Sequence, residues 1–190
     1  MNFKDLFNRI VILLSSPREA WKKIVGEEDG YLLGAFVYPM IAICGLAVFI
    51  GMLFGNGVED FNFQYVMTEC CSIFISLFGG FFFASFLIDQ FGIRFMGREE
   101  GDRGRCQKLV GYSMVVVFVL EIFNGLFPSF LILSWILQFY TIYIVWEGTK
   151  LLMGVVEEKL LSYTLVCSAI ILVSPAMISY LFDKLSQVLN

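Results

Sequence analysis

The sequence predicts an all-α polytopic integral membrane bundle of five transmembrane helices, preceded by one or two short interfacial amphipathic helices, with the N-terminus cytoplasmic and the C-terminus outside. Three observations predict it. The 190 residues are 58% hydrophobic and 17% aromatic with a mean hydropathy of +0.79, too apolar for a soluble domain and without the alternating polarity of an outer-membrane barrel. Five apolar stretches are each about long enough to cross a hydrocarbon core of ~30 Å as a helix. Twelve of the thirteen Lys and Arg residues fall in segments that this count of spans places on one side, and the positive-inside rule makes that side the cytoplasm.

The organisation follows in order: residues 1–30 as cytoplasmic interfacial helices, 31–183 as the transmembrane domain, and 184–190 as a short external tail. At the start, the apolar core Ile10 to Leu14 is too short for a signal peptide, and no small-residue cleavage motif follows. Phe3, Leu6, Phe7, Ile10, Leu13 and Leu14 instead recur at helical spacing, with Lys4, Asp5, Asn8 and Arg9 between them. That pattern suits a helix lying in the membrane interface, or equally one packed on the protein's own cytoplasmic face. Ser16-Pro17-Arg18-Glu19 reads as a capping box with proline at the first helical position. The second short helix carries Trp21 and Ile24 on one side with Lys22 and Lys23 beside them, and Trp21 flanked by lysines suits the headgroup zone.

The expected spans are about 31–54, 66–91, 109–127, 129–146 and 161–182. In the first, Ala47, Gly51 and Gly55 recur every four residues, a spacing that admits close approach of a neighbouring backbone. Its outer loop holds Glu59 and Asp60 but no Lys or Arg. The second carries Ser72, Ser76, Gly80 and Ala84, an unbroken small-residue stripe expected to pack against another helix, with Glu69 and Asp89 near its ends where they reach the interface by snorkelling. Gly92 to Lys108 is the most charged segment and reads as a flexible cytoplasmic loop. Its Arg94, Arg98, Arg103 and Arg105, together with Trp21, Lys22 and Lys23, are candidate contacts for anionic lipid or a partner protein. The last span contains Pro175, expected to kink it unless neighbours satisfy the freed backbone groups.

Lys108 to Lys150 forms a hairpin of two spans hinged at Pro128. Glu121 is the one carboxylate well inside a span. With Asn124 on its own helix and Ser134 and Gln138 on the next, it makes a candidate intramembrane polar site, and counting from Pro128 sets Ser134 nearly level with Glu121. The expected hydrogen bond runs from Glu121 to Ser134 or Gln138. Such an acid is either a proton-coupled or cation site, or a structural lock on the hairpin.

Several function classes are disfavoured by what the chain contains. Histidine is absent, which removes the commonest general base and metal ligand at neutral pH. The five cysteines show no CxxC pattern, and most fall inside the expected spans, where they read as small apolar residues. No basic domain suggests nucleic acid. No nucleophile and base stand at meaningful spacing, so a lipid-active enzyme would have only Glu147 or Asp89 as bases. No catalytic, cofactor-binding or metal-binding residue is therefore expected. The expected partners are the lipid bilayer and either a protein partner or a second copy of the chain.

Three segments carry a family resemblance. They are Pro17-Arg18-Glu19-Ala20-Trp21-Lys22-Lys23-Ile24 ahead of the first span, Leu109-Val110-Gly111-Tyr112-Ser113 opening the third, and Ile142-Tyr143-Ile144-Val145-Trp146-Glu147-Gly148 closing the fourth. With the five-span order, the chain resembles bacterial members of the Yip family, named for membrane proteins that interact with Ypt/Rab GTPases. Where the family's third-span motif continues to a proline, this chain has Met114 and Val115. The resemblance implies the five-span fold and a role in membrane organisation or partner recruitment; the lack of a targeting sequence and the short termini fit a bacterial inner membrane, with an internal eukaryotic membrane as the other location. It carries over neither Rab binding nor any catalytic residue. A transporter or channel component built around Glu121 stands as the alternative.

Overall fold

The computed structural model describes residues 3–27, 29–55, 62–96 and 100–189. Glu59, Asp60 and Arg98 lie outside them. Among the described residues every regular element is helical, and five helices are long and apolar enough to cross a membrane: Gly30–Phe54, Phe63–Met96, Arg103–Leu126, Leu131–Met153 and Glu157–Ser186. Two short helices, α1 (Phe3–Ser15) and α2 (Pro17–Ile24), precede them.

Local chemistry explains where the helices are irregular. The first span begins as α3 (Asp29–Leu32), widens into a π turn at Leu33–Val37, and continues as α4 (Tyr38–Gly55). The π turn directly precedes Pro39, which has no N–H to give and whose ring crowds the preceding turn, so the backbone loosens there. The second span is the single helix α5 (Phe63–Met96). The third is α6 (Arg103–Ser113) and α7 (Val115–Leu126), meeting at Met114, where ψ is −3°. A 3-10 turn at Pro128–Phe130 leads into α8 (Leu131–Leu137), and α9 (Tyr140–Gly148) follows after a break at Gln138 and Phe139. A second π turn, Thr149–Met153, ends at Gly154, whose φ of +61° is the left-handed cap that favours glycine. The last span is α10 (Glu157–Leu189), which remains helical through Pro175.

The third span is the centre of the bundle, with 61% of its apolar window buried against 28% for the fourth and fifth. Lipid is as apolar as leucine, so close backbone packing rather than hydrophobic burial must hold such helices together. Two glycine crossings provide it. A Cβ on Gly51 would lie 1.7 Å from the carbonyl oxygen of Gly125, which locks the first span to α7. A Cβ on Gly80 would lie 2.8 Å from backbone and ring atoms of Pro175, which locks α5 to α10. Along this second pair Gly92 lies on Tyr163, Gly80 on Pro175 and Ser72 on Asp183, equal steps on both helices, so one antiparallel register is kept throughout.

Three local expectations are corrected. Ser16 starts α2 without using its side chain: its carbonyl accepts from the amides of Glu19 (3.0 Å) and Ala20 (3.1 Å), and no capping box forms. The preceding helix supplies the reason, because the Ser16 amide still bonds Ile12 O at 2.8 Å and the two helices meet almost without a linker. Asp89 does not snorkel. It is buried, and its carboxylate accepts from the Asp102 amide at 2.9 Å and from the Cys106 thiol at 3.8 Å. Gly101 passes so close that a Cβ there would meet Asp89 Oδ2 at 2.6 Å. Much of the expected flexible loop from Gly92 to Lys108 is helical, since α5 runs on to Met96 and α6 starts at Arg103, capped by the Asp102 carboxylate bonding the Arg105 amide.

Candidate functional site

The densest polar arrangement lies where α1 and α2 dock on the bundle. On α1, Leu6 and Leu13 are buried and Arg9 turns inward beside them. On α2, Pro17, Ala20, Trp21 and Ile24 form the buried face while Arg18, Glu19, Lys22 and Lys23 remain exposed. Trp21 is fully buried. Its indole N–H donates to the carbonyl of Ile144 at 2.9 Å, its ring stands edge-on to Tyr112 at 6.1 Å, and Gly148 makes room for it. The headgroup placement expected for Trp21 is thus corrected. A tryptophan between lysines reads the same on a helix that docks on protein as on one that docks on lipid.

Above Trp21 a hydrogen-bonded circuit closes. Arg9 Nη1 donates to Glu27 Oε1 at 2.5 Å and to Tyr112 Oη at 3.0 Å, and the Tyr112 hydroxyl donates to Glu27 Oε2 at 2.6 Å. The Lys108 ammonium donates to the backbone carbonyl of Glu27. The Arg9 guanidinium also lies over the rings of Tyr31 and Tyr112, at 5.0 and 5.4 Å. Burial disfavours the Arg9 charge, but the bond to Glu27 and the surrounding groups outweigh it, so its pKa stays above the ordinary arginine value. The Arg9 charge is thus paired with a carboxylate and hydrogen-bonded, which is what a partly buried charge requires. Lys108, expected in a solvated loop, is buried in this circuit.

Replacing Tyr112 with phenylalanine removes the hydroxyl's bonds to Arg9 and Glu27 while keeping the ring. We expect a loss of about 1–3 kcal/mol, because Glu27 loses a short donor in a desolvated setting. Detergent-titration unfolding would read it, and an unchanged midpoint would show that the circuit contributes nothing to stability.

Of the candidate contact residues, Lys22, Lys23, Arg94, Arg103 and Arg105 are exposed, and Arg105 pairs with Asp102 at 3.0 Å. The stripe Ser72, Ser76, Gly80 and Ala84 is buried on one face of α5. Besides the Gly80 crossing, Ser72 Oγ donates to Asp183 Oδ1 at 3.4 Å and Ser76 Oγ to its own helix at Ile73 O.

The intramembrane set is only partly brought together. Ser134 Oγ donates to Asn124 Oδ1 at 2.6 Å, whereas Glu121 makes no hydrogen bond to Ser134 or Gln138. The expected Glu121 pairing is corrected for a geometric reason. Pro128–Phe130 is a 3-10 turn taken up in crossing between helices, so the descending helix effectively begins at Leu131, and Ser134 falls level with Asn124. Gln138 sits in the break before α9. Glu121 is half-buried against the first span, near Cys44.

Sequence reasoning missed the Arg9, Glu27 and Tyr112 circuit. Its one signal was a tyrosine in a glycine-containing polar run opening an otherwise apolar span.

No curated protein and no solved structure matches the chain. A family model described as the Yip1 domain matches residues 11–178, taking in the end of α1, all of α2 and four complete spans together with most of the fifth. That match covers most of the chain, and with five membrane-length apolar helices it makes this multi-pass integral membrane protein a member of the Yip family.

Proposed function

We propose that the protein is a non-enzymatic organiser of the membrane that recruits partner proteins through the face carrying α1 and α2, with that face and the N-terminus in the cytoplasm of a bacterial cell, the C-terminus outside, and the inner membrane as its location. One observation carries the reading. The exposed cations Arg18, Lys22 and Lys23 are mounted on a helix whose other side is fixed to the bundle through Trp21, so a charged surface is presented without loss of order. Arg94, Arg103, Lys150 and Lys159 lie at the same end of the bundle, in keeping with the positive-inside rule. The expected absence of catalytic residues and cofactors belongs to the same proposal, as does a protein partner or second copy of the chain. The transporter alternative keeps Glu121 as its candidate, but Asn124 and Ser134 bond each other there, and the Gly51 and Gly125 contact closes the backbone one turn away.

Isolation of the full-length protein should recover a defined partner set that the reversal Arg18→Glu/Lys22→Glu/Lys23→Glu abolishes and Glu121→Gln does not. An identical set with the reversed face would overturn recruitment through α2. In liposomes containing a pH dye, Glu121→Gln is expected to fold normally and leave proton flux at the lipid background. A flux in the wild type that this variant removes would put the transporter in place of our reading.

A further inference from the structure

A cavity of about 240 Å³ lies between α1, α2 and the start of the first span, lined by Asp5, Arg9, Lys23, Glu27 and Tyr31 over an apolar floor that includes Ile24. That volume gives room for a small polar group rather than a helix or strand. The charges that line it sum to zero: two cations face two carboxylates. They are not equally engaged. Both Glu27 carboxylate oxygens already accept bonds, from Arg9 and Tyr112, and Arg9 is committed to Glu27 and the same tyrosine. Neither Asp5 nor Lys23 belongs to an ion pair among the described residues, and both are exposed. One anionic and one cationic group therefore stand ready at the rim.

The depth of this cavity follows from the helix that bounds it. Phe3, Phe7 and Val11 succeed one another every four residues on α1 and are exposed, the two phenylalanines by about two thirds of their surface (67% and 66%). That stripe has no protein cover among the described residues, and on an interfacial helix it is the side turned toward the acyl chains. Asp5, Asn8, Arg9 and Ile12 occupy a different flank of the same helix, roughly opposite the stripe by the ~100° advance per residue, so with the stripe on the acyl chains the cavity lies on the helix's polar side, among headgroups and water.

We propose that this cavity seats the zwitterionic phosphoethanolamine headgroup of a membrane phospholipid, with the phosphate toward Lys23 and Arg9 and the ammonium toward Asp5. Net neutrality of the lining sets the class. A purely anionic headgroup would gain from Lys23 and lose against Asp5, whereas a headgroup bearing both charges satisfies both. A choline headgroup carries no N–H to donate to the Asp5 carboxylate, and the Tyr31 ring that would cradle its methyl groups is already under Arg9. The inference does not rest on partner recruitment, and the two readings share only Lys23.

The test is native mass spectrometry of the full-length protein released from bilayers of equal phosphatidylethanolamine, phosphatidylcholine and phosphatidylglycerol. The wild type is expected to retain phosphatidylethanolamine over the other two. Lys23→Glu and Asp5→Asn, both at exposed positions, should each reduce that preference by about fivefold, the scale of one exposed charge contact. Excess water-soluble glycerophosphoethanolamine should leave the lipid adduct in place. Equal retention of the three lipids, preference for phosphatidylglycerol, or indifference to both substitutions would overturn the proposal. Displacement by the soluble ester would overturn the membrane lipid as its source. Trp21 fluorescence in a Trp135→Phe/Trp146→Phe background reports that each variant has folded, and recovery of partner proteins with Asp5→Asn, which leaves the cations of α2 in place, separates failure of this site from failure of recruitment.

Discussion

Gly51→Ala is expected to be the most damaging single-methyl change in the protein. An ideal Cβ at Gly51 falls 1.7 Å from Gly125 O and 2.7 Å from its carbonyl carbon, with Leu126 Cα at 3.2 Å, so its obstacles are all backbone and no rotamer change relieves them. The first span and α7 must separate. Overpacking of a well-packed core typically costs about 1–3 kcal/mol, and here the close contacts on both helices are lost as well, so the upper end is expected. Gly125→Ala should act in the same direction, since its Cβ would meet Val48 N at 2.9 Å. Gly34→Ala is the control, with nothing within 4 Å of the added carbon. Unfolding midpoints in mixed micelles should fall for the first two and hold for the third. Equal midpoints for Gly51→Ala and Gly34→Ala would mean the two helices do not cross there.

Trp21→Ala is the second large effect. The side chain is fully buried, and its removal leaves a cavity between α2, Tyr112 and Gly148 while Ile144 loses its indole donor. Truncations of this kind cost about 3–5 kcal/mol. Trp21→Phe keeps most of the volume and should lose only the hydrogen bond, about 1 kcal/mol. Because Trp21 joins α2 to the fourth span without passing through the span-to-span contacts, the loss should appear as local opening. Limited proteolysis should cut Trp21→Ala within residues 3–27 while the spans stay protected. Cleavage spread evenly over wild type and variant would show that α2 is not anchored there.

These two positions show what the sequence discloses. The spacing of Ala47, Gly51 and Gly55 announces a close backbone approach, because only small residues permit one in lipid, but nothing in that spacing names Gly125 as the partner. Five membrane-length helices are legible for the same physical reason: hydropathy over about 20 residues averages out local detail. That averaging hides the π turns at Leu33–Val37 and Thr149–Met153 and the break at Gln138 and Phe139, which are local departures within apolar runs. Asp89 and Lys108 were read as solvated because charges near span ends usually are. Their burial depends on Gly101 and Glu27, residues distant enough in sequence that no helical period connects them. The Asn124 to Ser134 bond was missed by one helical turn because the geometry of a three-residue connection fixes the register of everything after it.

The attachment of α1 and α2 also bears on how the chain is assembled during synthesis. Arg9 closes its circuit on Tyr112, and Trp21 gives its indole proton to Ile144, residues that leave the ribosome 103 and 123 positions later. Until the third and fourth spans have been inserted, the N-terminal pair has no docking surface to close on. Its exposed Phe3, Phe7 and Val11 offer a place to wait on the bilayer in the meantime. These early-made helices are then among the last elements described to reach their final position. A ribosome stalled before Ile144 should hold these helices on lipid, open to protease, and release of the stall should close them onto the bundle.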